Sequence, residues 1–339
     1  MTEQLNRFGM GARFVSANAL TEIELGPLEQ FVGDWESDTI IIDKKPAAAG
    51  WNVISVPGEG GFVFEVIPYK EELHFSTVAV QAGNRGPFIN GKHFDQEIFG
   101  LFYEQQIKSL CDTDFCNKRG FAKDTVIHAE TGLMLYVTNL NGGYNIARLG
   151  TIPHGNAVLA LGKSSTQSNI PTGFFPPISS FATNLDGSAP AILGYDQQMK
   201  NIQFPVFPQA NPNAFLKTTL DSIFGNGLVP NMTTLDMSTN HPDATGGILN
   251  IPFIQTNVTA TKMNATFWLI NRSKNKADDL LQYSQTINLV FPSSGTATPI
   301  IWPHITVNTL KRKPVVQAKT QAVSNMAQTH GGSDSVPQL

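Results

Sequence analysis

Apolar and polar residues alternate along most of this chain with a period of two, the signature of half-buried β-strands. Phe62 to Ile67 is apolar and rich in β-branched residues, and Lys70 to Val80 alternates with Leu73 and Phe75 on one face. Further strands are predicted over Ile98–Ile107, Thr125–Glu130, Leu133–Asn139, Tyr144–Ile152 and Asn156–Gly162. The turn signals between them are Glu130-Thr131-Gly132, Asn141-Gly142-Gly143 and Pro153-His154-Gly155. Spacing of about ten residues from strand to strand is the pattern of an antiparallel barrel or sandwich.

From Ser164 to about residue 245 the character changes. Thr172-Gly173-Phe174-Phe175-Pro176-Pro177 and Gln203-Phe204-Pro205-Val206-Phe207-Pro208 are aromatic and proline-punctuated. Only Asn213 to Phe224 reads as a helix, with Phe215, Leu216, Leu220, Ile223 and Phe224 on one face. The stretch 164–245 is too apolar for a linker and is expected to be an insertion that folds over the main body, as a lid. Strand character returns at Gly247–Ile254, Ala260–Arg272, Leu280–Phe291 and Trp302–Leu310. The expected architecture is therefore mainly β: one antiparallel barrel of about ten strands over residues 25–313, with a large loop and helix insertion. Residues 1–24 form an N-terminal arm, and the polar tail 314–339 is expected to be disordered.

Composition narrows the class. The 339 residues include 29 Gly, 21 Pro and 22 Phe, a mixture suited to short strands, tight turns and aromatic filling. Only 15% of residues are charged and the formal net charge is −4, so nothing favours nucleic acid or an anionic membrane surface. No apolar run is long enough to span a bilayer as a helix, and the N-terminus lacks the apolar core of a secretory signal. A soluble cytoplasmic protein is the expectation. Cys111 and Cys116, with four residues between them in a polar loop, are then expected to stay reduced, and two sulfurs alone make a poor zinc site.

Several segments resemble a known family in the order in which they occur. Leu25-Gly26-Pro27-Leu28-Glu29-Gln30-Phe31-Val32-Gly33-Asp34-Trp35 resembles the opening of the nitrobindin-like heme-binding β-barrels of the calycin group. Tyr69-Lys70-Glu71-Glu72-Leu73-His74-Phe75 is similar to an early strand of that family. Ile127-His128-Ala129-Glu130-Thr131-Gly132-Leu133 resembles its His-x-Glu-x-Gly hairpin. Leu281-Gln282-Tyr283-Ser284 with His304-Ile305-Thr306-Val307-Asn308-Thr309-Leu310-Lys311-Arg312 resembles its closing hairpin. The resemblance covers about 25–162 and 246–313. Departures are Gly50–Pro57, where the family has a Gly-rich Tyr-Pro segment, and a length about twice that of a minimal domain. The resemblance implies a helical turn plugging one end of a barrel, Trp35 packed inside, and His304 as axial ligand of the iron of a heme b.

With that frame, His304 is the expected cofactor and metal ligand. Strand alternation groups it with Thr306, Asn308 and Leu310, opposite Ile305 and Val307, unless a bulge after Pro303 resets the phase or the insertion buries the outer face. His154 is the candidate acid–base residue near bound peroxide or oxygen, against a plain turn histidine. Arg148 is a candidate to stabilise charge in the reaction or to bind a propionate, and Arg85 to hold a carboxylate of ligand or heme. His128 is expected to order a turn and His74 to face outward. The implied activity is a heme-dependent oxidoreductase using peroxide, oxygen or nitrogen oxides on a small hydrophobic substrate. The competing class is a metal-free carrier of a fatty acid or other apolar ligand, and a third is a homo-oligomer joined through the aromatic insertion.

Overall fold

The computed structural model describes residues 14–15, 25–37, 39–58, 61–78, 82–138, 143–152, 155–190, 206–225, 227–242, 246–255, 257–291 and 299–313. The principal strands are β1 (Gly33–Ser37), β2 (Gly50–Gly58), β3 (Gly61–Val78), β4 (Gln96–Ser109), β5 (Val126–Val137), β6 (Ile146–Ile152), β7 (Asn156–Pro171), β8 (Leu228–Ser238), β9 (Thr259–Asn271), β10 (Leu280–Val290) and β11 (Ile300–Arg312). They pair antiparallel in the order β3-β1-β11-β10-β9-β8-β7-β6-β5-β4, and β4 pairs again with β3, closing a ten-strand barrel. Closure leaves no long unpaired edge, which suits so β-rich a sequence. β2 shares one slot with β1. Between β3 and β11 the wall is made by β1 at one height (Trp35↔Arg312) and by β2 at another (Val53↔Ile305). The Thr39–Ile42 and Lys45–Ala48 hairpin leaves the wall between them.

The barrel differs from the predicted elements in four places. Residues 62–80 were expected as two strands, but Gly61–Val78 is one long strand. Glu130-Thr131-Gly132 is no turn: β5 runs straight through it, paired with β4 from Ile98↔Val137 to Lys108↔Val126. The expected insertion begins and ends in barrel wall, because β7 extends to Pro171 and Leu228–Ser238 is the strand β8 between β7 and β9. The excursion from the wall is therefore the shorter stretch between β7 and β8. The expected arm and tail lie mostly or wholly outside the described residues.

One end is plugged. A 3-10 helix, Gly26–Phe31, with proline near its start, drops Leu28 and Phe31 into full burial, each worth about 1.5–3 kcal/mol. Trp35 is buried behind it and donates its indole N–H to the Phe31 carbonyl at 2.8 Å. Arg312 at the end of β11 lies over the Trp35 ring at 4.2 Å and donates to the Val32 carbonyl at 2.8 Å. The closing strand is thus stapled to the plug by its last arginine.

The excursion covers the outside of the closing strands. Its helix α2 (Asn213–Phe224) ends at Gly225, whose positive φ of 62° supplies the left-handed cap. Phe207 stacks on Trp51 at 4.7 Å and Phe215 meets the same ring edge-on at 6.0 Å. Trp51 is the register partner of Val307, so this aromatic cluster buries the outer face that Ile305 and Val307 share.

Between β4 and β5 the chain corrects the expectation of reduced thiols. Cys111 and Cys116 form a disulfide, with Cα atoms 6.0 Å apart. The short helix α1 (Asp114–Lys118), capped by the Thr113 side chain at the Cys116 N–H, turns the two residues toward each other. The bridge packs on Ile67, Phe115, Phe121 and Ile127. It holds Arg119 over the Phe115 ring with Nε 3.3 Å from the buried Glu65 carboxylate. Closing so short a loop is worth about 2 kcal/mol. Replacing both cysteines with serine should therefore lower the unfolding free energy by about that amount in urea; an unchanged midpoint would show that the bridge contributes nothing.

Candidate ligand site in the barrel lumen

Register decides which side chains face the lumen, because residues directly opposite in antiparallel strands share a face. Following the wall, Ala265 pairs with Gln285, Gln285 with Thr306, and Thr306 with Asn52. One step further along, Met263 pairs with Ile287 and Ile287 with His304. His304 therefore points inward and is 7% exposed. No bulge resets its phase. The apolar Ile305 face is the outer one, buried by the excursion, and the mixed face is the lumen.

The lumen is layered. Around His304 the rungs are apolar: Ile287 and Met263 beside it, and Trp302 opposite Leu289 one step toward the unplugged end. Next comes a charged layer. Arg148 on β6 donates from Nη2 to Glu130 Oε1 at 2.6 Å, from Nη1 to Gln285 Oε1 at 2.6 Å and from Nε to the Tyr103 hydroxyl at 3.0 Å. Tyr103 in turn donates to Glu130 at 2.5 Å, and His128 Nε2 stands 3.4 Å from the other carboxylate oxygen. Space for the Tyr103 hydroxyl comes from two glycines. A Cβ on Gly132 would lie 2.6 Å from it and 2.2 Å from the Leu149 carbonyl oxygen, and one on Gly150 would lie 2.3 Å from it.

A second polar cluster stands beside it. Glu71 accepts from Tyr283 OH at 2.6 Å, Asn308 Nδ2 at 2.6 Å and Gln105 Nε2 at 2.7 Å. The Tyr69 and Tyr283 hydroxyls are 3.0 Å apart, and Asn308 also donates to Ser37 Oγ at 2.8 Å.

The two carboxylates titrate in opposite directions. Burial pushes Glu130 upward, but Arg148 and then His128 outweigh it and hold the carboxyl down at about 2. Burial dominates at Glu71, whose neutral donors lower it less than desolvation raises it, so its value is above the usual carboxylate range. At Glu65 burial also wins over Arg119, and its value is raised to about 7.

These contacts decide the fate of the sequence candidates. His304 and Arg148 both enter the lumen. Arg148 is engaged there by Glu130, Gln285 and Tyr103 in a buried ion pair. Arg85 is exposed at the Ala82–Asn84 edge strand and its loop, outside the layers just described. His154 lies outside the described residues. His128 orders no turn, since none exists there; it supports Glu130. His74 does face outward, with Nδ1 2.6 Å from Asp34 Oδ1. Glu71, Tyr283, Gln105 and Gln285 were missed. Their signal was polar residues at inward positions of otherwise apolar alternation, and it needs the register to be seen.

Among the described residues no group of three or more His, Cys, Asp or Glu side chains could hold a metal ion, and no helix is long and apolar enough to cross a membrane. Heme iron can be held by a single imidazole, and His304 is a buried imidazole beside apolar rungs. No family model and no curated relative matches the sequence. The chain is similar to a solved structure, that of Rv2717c from M. tuberculosis, with TM-score 0.39 and 14% identity over 89% of this chain and 100% of that one. A likeness at that level says nothing of ligand or activity.

Arg148→Met leaves Glu130 charged and buried without its partner, so unfolding should become about 3–5 kcal/mol easier at pH 7. Because the folded Glu130 value is depressed to about 2, its contribution is present above pH 4.5 and lost as pH falls from there through 2. The penalty of Arg148→Met, followed by urea unfolding, should shrink over that window. A penalty that is small at pH 7 or constant down to pH 2 contradicts the assignment.

Proposed function

We propose that this barrel is a b-type heme-binding protein with His304 as the axial ligand, acting as an oxidoreductase on a small apolar substrate. The observation that carries the reading is the inward, buried placement of His304 between the apolar Ile287–Met263 and Trp302–Leu289 rungs. A neutral imidazole in such surroundings is a strong donor to iron, and the bound group would supply the chemistry with peroxide, oxygen or nitrogen oxides. The chain's own residues divide the remaining work. Ile287, Met263 and Trp302 exclude water from the imidazole. The Arg148–Glu130–Gln285 layer forms a charged floor that keeps an apolar group on the His304 side.

The same apolar rungs would also suit a metal-free carrier of a fatty acid, and one titration separates the two. Hemin added to the purified protein should give a Soret band characteristic of histidine ligation. His304→Ala, confirmed as folded by circular dichroism, should abolish or displace that band and weaken hemin binding at least tenfold. Protein that takes up no hemin, or a variant whose Soret band is unchanged, rules the heme reading out. Lipid recovered by solvent extraction from colourless protein would then favour the carrier.

A further inference from the structure

The barrel wall is incomplete on one side, and the gap leads to a second site. On β11, pairing with β1 stops at Lys311 and pairing with β2 starts only at Val307, so Asn308, Thr309 and Leu310 have no neighbour strand on that side. On β3, β1 ends opposite Glu71 and β2 begins opposite Tyr69. The chain between Ser37 and Gly50 is elsewhere, in its own hairpin. A cavity of about 420 Å³ opens at this wedge, within the range of small-molecule sites.

Its lining has a definite chemistry. The floor is polar, made by Ser37, Glu71 and Thr309, and Ile40 and Ala49 of the departing hairpin form an apolar side. The rim carries Lys70, Lys108 and Lys311 together with Glu36 and Glu72. Those charges do not cancel. Lys313, outside the cavity, stands 3.2 Å from Glu72 and 3.6 Å from Glu36, and Lys70 is paired with Asp124. Lys108 and Lys311 have no such ion pair among the described residues. With Lys313 and Asp124 counted, four ammonium groups face the three exposed carboxylates Glu36, Glu72 and Asp124, so the cavity carries surplus positive charge beside an apolar side and a hydrogen-bonding floor.

We infer that this lateral cavity binds a small amphiphilic organic anion, its carboxylate or phosphate head between Lys108 and Lys311 and its apolar body against Ile40 and Ala49. The site is separate from His304. It opens beside Glu71 and is reached through the wall instead of the barrel end. The Ser37 hydroxyl, which accepts from Asn308, faces this cavity with its proton available to a polar atom of the ligand. Glu71 stays committed to Tyr283, Asn308 and Gln105 and serves as the backing of the floor.

The test is calorimetric titration of the full-length protein with octanoate and octyl phosphate, using octanol and inorganic phosphate as the tail-only and head-only probes. Both amphiphilic anions should bind more tightly than either probe. Lys108→Ala and Lys311→Ala should each weaken them about fivefold, the upper range for a solvent-exposed charge pair. The double variant should lose about 25-fold at unchanged melting temperature, with Lys108→Arg/Lys311→Arg retaining binding. His304→Ala should leave octanoate binding unchanged, so failure of the heme reading and failure of this one are distinguishable. Octanol binding as tightly as octanoate, wild-type affinity in the double alanine variant, loss of binding in His304→Ala, or no octanoate binding at all overturns the inference.

Discussion

The ion pair between Arg148 and Glu130, sealed inside a closed barrel, is the constraint around which the rest of the lumen is arranged. Two charges out of water are tolerable only when every remaining donor and lone pair finds a partner. Here three side chains supply them: Tyr103 on β4, Gln285 on β10, and His128 on Glu130's own strand, while Gly132 and Gly150 leave the room that admits the tyrosine hydroxyl. The Arg148–Gln285 hydrogen bond crosses the lumen from β6 to β10, so the pair ties opposite walls as well as setting the polarity of the space between them. Replacing either glycine with a larger residue would press on backbone or hydroxyl and disturb the same network.

That layer gives the barrel two unlike halves. Toward the plug the lumen is filled by Trp35, Phe31 and Phe75, and Arg312 locks the plug to the closing strand. Toward the other end lie His304 and its apolar rungs. The excursion between β7 and β8 packs its aromatic residues on the outside of β2 and β11, and so lets β11 be buried on both faces. A strand buried on both faces can afford a histidine inside without losing its outer anchorage.

Much of the barrel was legible in the sequence because period-two alternation reports directly on a wall with one face inward. The plug and the inward Trp35 are what the resemblance at Leu25–Trp35 implied. The misreadings share a physical origin: residue types with two uses. Glu130-Thr131-Gly132 has turn composition, yet Gly132 is small to seat Tyr103, and Glu130 is acidic to meet an arginine far along the chain. Leu228–Ser238 was lost among proline-rich neighbours although it is wall. Cys111 and Cys116 were judged by compartment, whereas the cap of α1 brings them together. His304 stood on a mixed face that looked outward because polarity usually means solvent. The register shows that face to be the lumen, whose polar residues satisfy one another. The wall gap beside Ser37 had no sequence signal, since it exists only where two strands share one slot.

The proposed ligand chemistry lies on the His304 side of the Arg148–Gln285 hydrogen bond. Iron anomalous diffraction from crystals grown with hemin tests this most directly. The predicted result is one iron peak at the His304 imidazole, on the Trp302 side of the Arg148–Gln285 hydrogen bond, with the ion pair intact. An iron peak on the plug side of that bond, a peak at another residue, or no peak at all would contradict it.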